Sequence, residues 1–155
     1  MNRLFIVALL LIIFISCGQS DQRGHHEEAA AGSKVTSDSI YNIVMEDHNV
    51  AMTKMGQLSR YQQLCAKESD SLAALLTKKK DPVLAERKLK LDSLKTALKE
   101  AEDAMNHWME GFEPDSAGTT EESKLKYYNA EMEKVGSIKD NMLSILARAD
   151  STFKK

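Results

Sequence analysis

Apolar residues recur at alternating steps of three and four along almost the whole chain after residue 40. That spacing admits little except long helices packed side by side. Positions 41, 44, 48, 51, 55, 58, 62, 65, 69, 72 and 76 read Tyr, Val, His, Ala, Met, Leu, Gln, Cys, Ser, Leu and Leu, a heptad seam that weakens at Gln62 and Ser69. A second seam runs through Leu84, Arg87, Leu91, Leu94, Leu98, Ala101, Met105, Trp108 and Phe112. A third carries Leu125, Tyr128, Met132, Val135, Lys139, Met142, Leu146, Ala149 and Phe153, widened by Ile138 and Ile145. The β-branched residues are scattered and never alternate with polar ones, so strands are not expected.

Helix-end signals divide these seams into three. Asp38 is placed to cap the first helix, and Lys78-Lys79-Lys80 suits a C-terminus, where cations meet the negative end of the dipole. Asp81-Pro82 opens the second helix, because proline at the first helical position loses no needed hydrogen bond. Gly111 and Pro114 end it, and Thr119 with Glu122 reads as a capping box for the third. The predicted helices span about 38–78, 82–112 and 120–153, with a second cap at Glu68-Ser69-Asp70-Ser71 as the place where the first would kink or break. The predicted fold is all-α: an elongated antiparallel three-helix bundle over residues 38–155, with coiled-coil-like packing. So narrow a core leaves self-association along a residual apolar stripe open.

Ahead of the bundle the chain has a different character. Arg3 precedes twelve unbroken apolar residues, Leu4 to Ile15, and Phe14-Ile15-Ser16-Cys17 has the form of a lipobox. Residues 1–16 are therefore expected to be a lipoprotein signal peptide, with Cys17 acylated after its removal. The apolar run falls short of the roughly 20 residues a spanning helix needs. An ordinary secretory signal prefers a small residue where Phe14 stands. Residues 17–37 are polar and small, and read as a flexible tether with a reach of roughly 25 Å. Its His25-His26 pair is too few ligands for a tight metal site. Gly18 and Gln19 place no acid after the cysteine, and the expected location is the outer membrane.

Loss of residues 1–16 removes one base, Arg3, from 21 and no acid from 23, leaving a formal charge of −3. That balance invites neither nucleic acid nor an anionic membrane surface. With Cys17 acylated, Cys65 has no intramolecular partner, so a disulfide-stapled fold is excluded and a buried thiol expected.

If Lys78 and Pro82 flank the first turn, the numbers of facing residues on the first two helices sum to about 160. This puts His48 opposite Phe112, Met52 opposite Trp108 and Met55 opposite Met105. The second turn brings Leu125, Tyr127 and Tyr128 to the same end. Met45, His48, Met52, Met55, Met105, Trp108 and Met109 thus converge. Thioethers and imidazole are soft ligands suited to Cu(I) or Ag(I), and an indole face adds a cation–π contact. The candidate ligand set is His48, Met52, Met105 and Met109, with Trp108 beside it. Ordinary core packing accounts for the same residues, since methionine fills irregular gaps. His107 falls outside the seam and is expected in solvent. No nucleophile stands beside a base, and neither a phosphate loop nor an HExxH motif occurs, so no catalysis and no required cofactor are expected.

Asp47-His48 with Met52, Lys54 and Met55, then Ala104-Met105, Trp108-Met109 and Phe112, then Glu133-Lys134-Val135, resembles a group of small Bacteroidota lipoproteins sometimes labelled viral A-type inclusion proteins. The resemblance covers most of the chain after residue 40 and implies no activity. Asn49 and Thr53 stand where that group commonly has an acid and a proline, which predicts a straighter start to the first helix. Two functional expectations follow. One is a helical structural or interaction module held to membrane lipid through Cys17, with an envelope protein or a second copy as partner. The other is a periplasmic binder of Cu or Ag.

Overall fold

The structure, a computed structural model, describes residues 35–154. The lipobox, Cys17, His25-His26 and the expected tether as far as residue 34 lie outside the described residues. The described chain forms α1 (Ser37–Met52), α2 (Met55–Leu76), α3 (Pro82–Gly111), a single 3-10 turn (Pro114–Ala117) and α4 (Glu121–Phe153). No strand occurs among the described residues, and no helix among them is long and apolar enough to cross a membrane.

Thr36, not Asp38, caps α1. Its hydroxyl accepts from the Ser39 amide at 3.3 Å while Ser39 Oγ accepts from the Thr36 amide at 3.0 Å, so two otherwise orphaned donors are satisfied reciprocally. Asp38 lies inside the first turn, where its charge still faces the positive end of the helix. At α4 the cap is also displaced, by one residue. Thr120, and not Thr119 paired with Glu122, accepts from the Ser123 amide at 3.2 Å. Asp81 caps α3 as the sequence predicts, accepting from the amides of Val83 and Leu84 at 3.0 and 3.3 Å.

The first predicted helix is two helices. At Thr53-Lys54 the Lys54 amide reaches back only three residues, to the Ala51 carbonyl at 2.8 Å, and Thr53 Oγ1 donates to the Val50 carbonyl at 2.7 Å. A hydroxyl that takes up a backbone acceptor competes with the helical ladder. Gly56 follows in the first turn of α2 and adds little helical preference. Both linking residues stay in the right-handed helical region, with φ of −61° and −99°, so the strand of chain continues onward.

The break anticipated near Ser69 does not exist, and α2 runs through it. Ser69 is buried and donates its hydroxyl to Asp92 Oδ1 at 2.5 Å instead of capping a backbone amide. Lys88 holds the other Asp92 oxygen at 2.7 Å, and these two bonds keep the carboxyl below the usual aspartate range, Lys88 contributing most. Gln62, the other weak point of the seam, donates to Glu102 at 2.7 Å. Helix α2 ends at Leu76, so the three lysines at 78–80 lie in the turn beyond it.

Side-chain pairs fix the directions of the helices. Gln62 with Glu102 and Ser69 with Asp92 make α2 and α3 antiparallel. Trp108 with Glu131, and the Glu113 amide with the Tyr127 hydroxyl, make α3 and α4 antiparallel. Ser37 with Glu121 and Asp47 with Lys139 make α1 and α4 parallel. The result is an up-down-up helical bundle whose first leg is broken: α1 packs chiefly on α4, and α2 on α3. Its core holds Leu58, Tyr61, Leu91, Leu98, Met105, Val135 and Met142, all essentially without solvent contact. Cys65 is sealed among them. Burial foremost, and then the Glu68 carboxylate, push its thiol up to about 11, which keeps it protonated and inert.

Candidate functional site

The end of the bundle where α1, α3 and α4 meet is built around Trp108. Its seam position on α3 turns the indole inward, where it is 7% exposed. From there a run of rings extends along the bundle. His48 lies 5.6 Å from Trp108, Phe112 stacks on the indole at 4.7 Å, and Tyr127 lies 6.3 Å from Phe112. Tyr128 meets Tyr127 edge-on at 5.4 Å and Tyr41 at 5.3 Å. Offset and edge contacts of this kind stabilise beyond the area they bury. The turn between α3 and α4 is tied into the run, because the Tyr127 hydroxyl accepts from the Glu113 amide at 2.9 Å.

Glu131 of α4 enters the same region from the opposite side. Its residue exposure is 5%, and Trp108 Nε1 donates to Glu131 Oε2 at 2.8 Å while Lys134 Nζ donates to Oε1 at 2.7 Å. A buried carboxylate with both oxygens occupied is tolerated where a bare one is not. The hydrogen bond to it, primarily, holds Lys134 above the ordinary lysine value. The seam for α4 leaves Glu131 out. Its signal is present all the same: residue 131 lies three after Tyr128 and four before Val135, so it shares the buried face.

The predicted ligand residues part company. His48 Nε2 stands 3.3 Å from Met109 Sδ, so these two are brought together across α1 and α3. The pairing keeps within a few residues of the predicted register, although His48 faces Met109 and Trp108 and not Phe112. Met105 is wholly buried in the core, one turn below Met109. Met52 ends α1 and is 38% exposed. Met55 and Met109 are half-buried against the core. His107 is exposed, as its place outside the seam predicts. Among the described residues no three His, Cys, Asp or Glu side chains gather in a metal-binding group.

The other ring nitrogen of His48 also has a polar neighbour. Asn49 Oδ1 lies 3.2 Å from His48 Nδ1. An amide oxygen only accepts, so the tautomer protonated on Nδ1 donates to Asn49, whereas the one protonated on Nε2 donates to the Met109 sulfur. On the far side of α1, Asp47 pairs with Lys139 at 2.7 Å, both largely buried, and that bond foremost raises the lysine above its ordinary value. No known protein family, curated protein or solved structure matches the chain.

Proposed function

We propose that this is a bacterial envelope lipoprotein, anchored in the outer membrane through acylated Cys17, whose helical unit acts as a structural or interaction module and not as a catalyst. The observation that carries the proposal is the apolar run Leu4–Ile15 ending in Ser16-Cys17, with polar, small residues after it. Two or three acyl chains, at about 0.8 kcal/mol per buried methylene, make detachment negligible.

The character of the helical unit supports the second half of the proposal. Every described buried side-chain nitrogen or oxygen has a hydrogen-bond partner, so the polar groups inside are committed to the fold. Three of the most exposed large apolar residues, Leu75, Val83 and Leu89 at 50%, 71% and 68%, flank the α2–α3 turn, where a partner protein or a second copy would cover them. Coiled-coil-like seams are the packing such a module would use.

Metabolic labelling with a fatty acid, followed by membrane fractionation, tests the anchor. The native protein is expected to take up label and stay with membranes through a high-salt wash. Cys17→Ser should lose the label and leave the outer-membrane fraction. Label retained by Cys17→Ser, or absent from the native chain, sinks the reading.

A further inference from the structure

We propose that His48 and Met109, with Met52, form a binding site for one monovalent soft cation, Cu(I) or Ag(I). The inference stands on the geometry of α1 and α3 and does not depend on the lipid anchor.

The first argument is the pairing of acceptors. In the tautomer whose Nδ1–H is donated to Asn49 Oδ1, His48 aims a lone pair from Nε2 at a thioether sulfur that also has only lone pairs to offer. In that tautomer two acceptors face one another at 3.3 Å. A cation between them turns that opposition into two bonds. The second argument is distance. With zinc-like bonds of about 2.0 Å to nitrogen and 2.3 Å to sulfur, two ligands of one tetrahedral or trigonal ion stand roughly 3.5–3.7 Å apart, and farther for the larger Ag(I). The existing separation is within a few tenths of an ångström of that, so ligation needs only a small rotation of the flexible methionine.

The third argument is the surrounding shell. A ligating histidine characteristically donates its other N–H to an oxygen, which fixes its tautomer and orientation, and Asn49 Oδ1, 3.2 Å from Nδ1, is placed to accept that bond here. Trp108 brings its ring to 5.6 Å from the imidazole, and the Glu131 bond to Nε1 holds the indole in place. A cation at His48 therefore falls within reach of an aromatic π-face. Met52 lies one turn after His48 on the same face of α1 and is 38% exposed, which makes it the third ligand of the proposed site. Met105 is left to the core. Nitrogen and thioether ligands without a carboxylate select a soft ion over Zn(II), Mg(II) or Ca(II).

Trp108 is the only tryptophan in the chain, so its emission reports on this site alone. The test uses the full chain in detergent micelles with Cys17→Ser and Cys65→Ala, which removes both thiols as competitors and makes the result independent of acylation. Silver nitrate is titrated in chloride-free buffer while Trp108 fluorescence is followed. Saturable quenching at one equivalent with a micromolar or tighter midpoint is expected. His48→Ala and Met109→Leu should each weaken the midpoint at least tenfold, and Met52→Leu several-fold, with helical circular dichroism retained. Magnesium and zinc should leave the emission unchanged at the same concentrations. Absence of quenching at micromolar silver, or an unaltered midpoint in any of the three variants, overturns the site.

Discussion

A carboxylate inside an apolar bundle is stable only while its oxygens are occupied, and Glu131 has Trp108 on one and Lys134 on the other. Trp108→Phe keeps a ring on Phe112 but removes the N–H, leaving Oε2 without that donor. Together with the lost ring volume it should cost about 2–4 kcal/mol. Glu131→Leu alone strands the indole N–H instead. Replacing both partners by apolar groups removes the unpaired atom in each single variant, so the double variant should be about 0.5–3 kcal/mol more stable than the sum of the singles. Urea unfolding of the four proteins measures this directly. Strict additivity would mean that the bond contributes nothing. At this scale the sequence was legible in one direction only: it puts Trp108 on the seam, but an acid on the buried face of α4 breaks the apolar pattern that defines the seam.

Helix boundaries follow from hydroxyls and glycines more than from periodicity. The heptad spacing runs unbroken through Thr53-Lys54 because both residues keep helical dihedral angles, so the apolar pattern carries no trace of the break. What makes the break is local, in the Thr53 hydroxyl and the short Lys54 to Ala51 bond. Conversely, Ser69 looks like a cap in sequence because its tertiary partner, Asp92, lies on another helix. Two glycines on either side of this contrast should respond oppositely to alanine. A Cβ at Gly56 meets nothing within 4 Å, so Gly56→Ala should stabilise by about 0.5–1 kcal/mol through helical preference and a more restricted unfolded chain. Gly118 adopts φ 83°, ψ −177°, a region nearly closed to other residues, and a Cβ there would lie 2.6 Å from Ser123 Oγ. Gly118→Ala should destabilise by about 1–3 kcal/mol. Thermal melts of the two variants decide the matter, and a loss of stability in Gly56→Ala would contradict the account of the break.

Across the helical unit, the broken first leg divides labour: α2 packs chiefly against α3, while α1 packs chiefly against α4. The three legs and their alternating directions were legible from turn signals and seams, but a seam marks a buried face without saying which neighbour covers it. Helix α1 buries only Ile40, Val44 and Ala51 as apolar side chains, whereas α3 buries Leu91, Leu94, Leu98, Ala101, Met105 and Trp108. Polar contacts supplement this: Ser37 gives Glu121 two hydrogen bonds, and Asp47 pairs with Lys139. Gly136 permits the close approach, since a Cβ there would lie 3.2 Å from Asp47 Oδ2. A 16-residue helix is marginal alone, so α1 depends on these contacts and should open before the rest of the unit. Hydrogen exchange is expected to show Val44–Ala51 amides less protected than those of Leu91–Ala101. Asp47→Asn should widen the gap by weakening α1 without altering exchange in α3. Equal protection in the native protein, or a uniform loss in the variant, would mean that α1 and α3 open only together. Graded opening also bears on the candidate cation site, because His48 belongs to the helix that opens first and Met109 to the one that stays. A cation joining them would tie α1 to α3 across a boundary otherwise bridged mainly through α4, and silver should then slow exchange in α1 selectively.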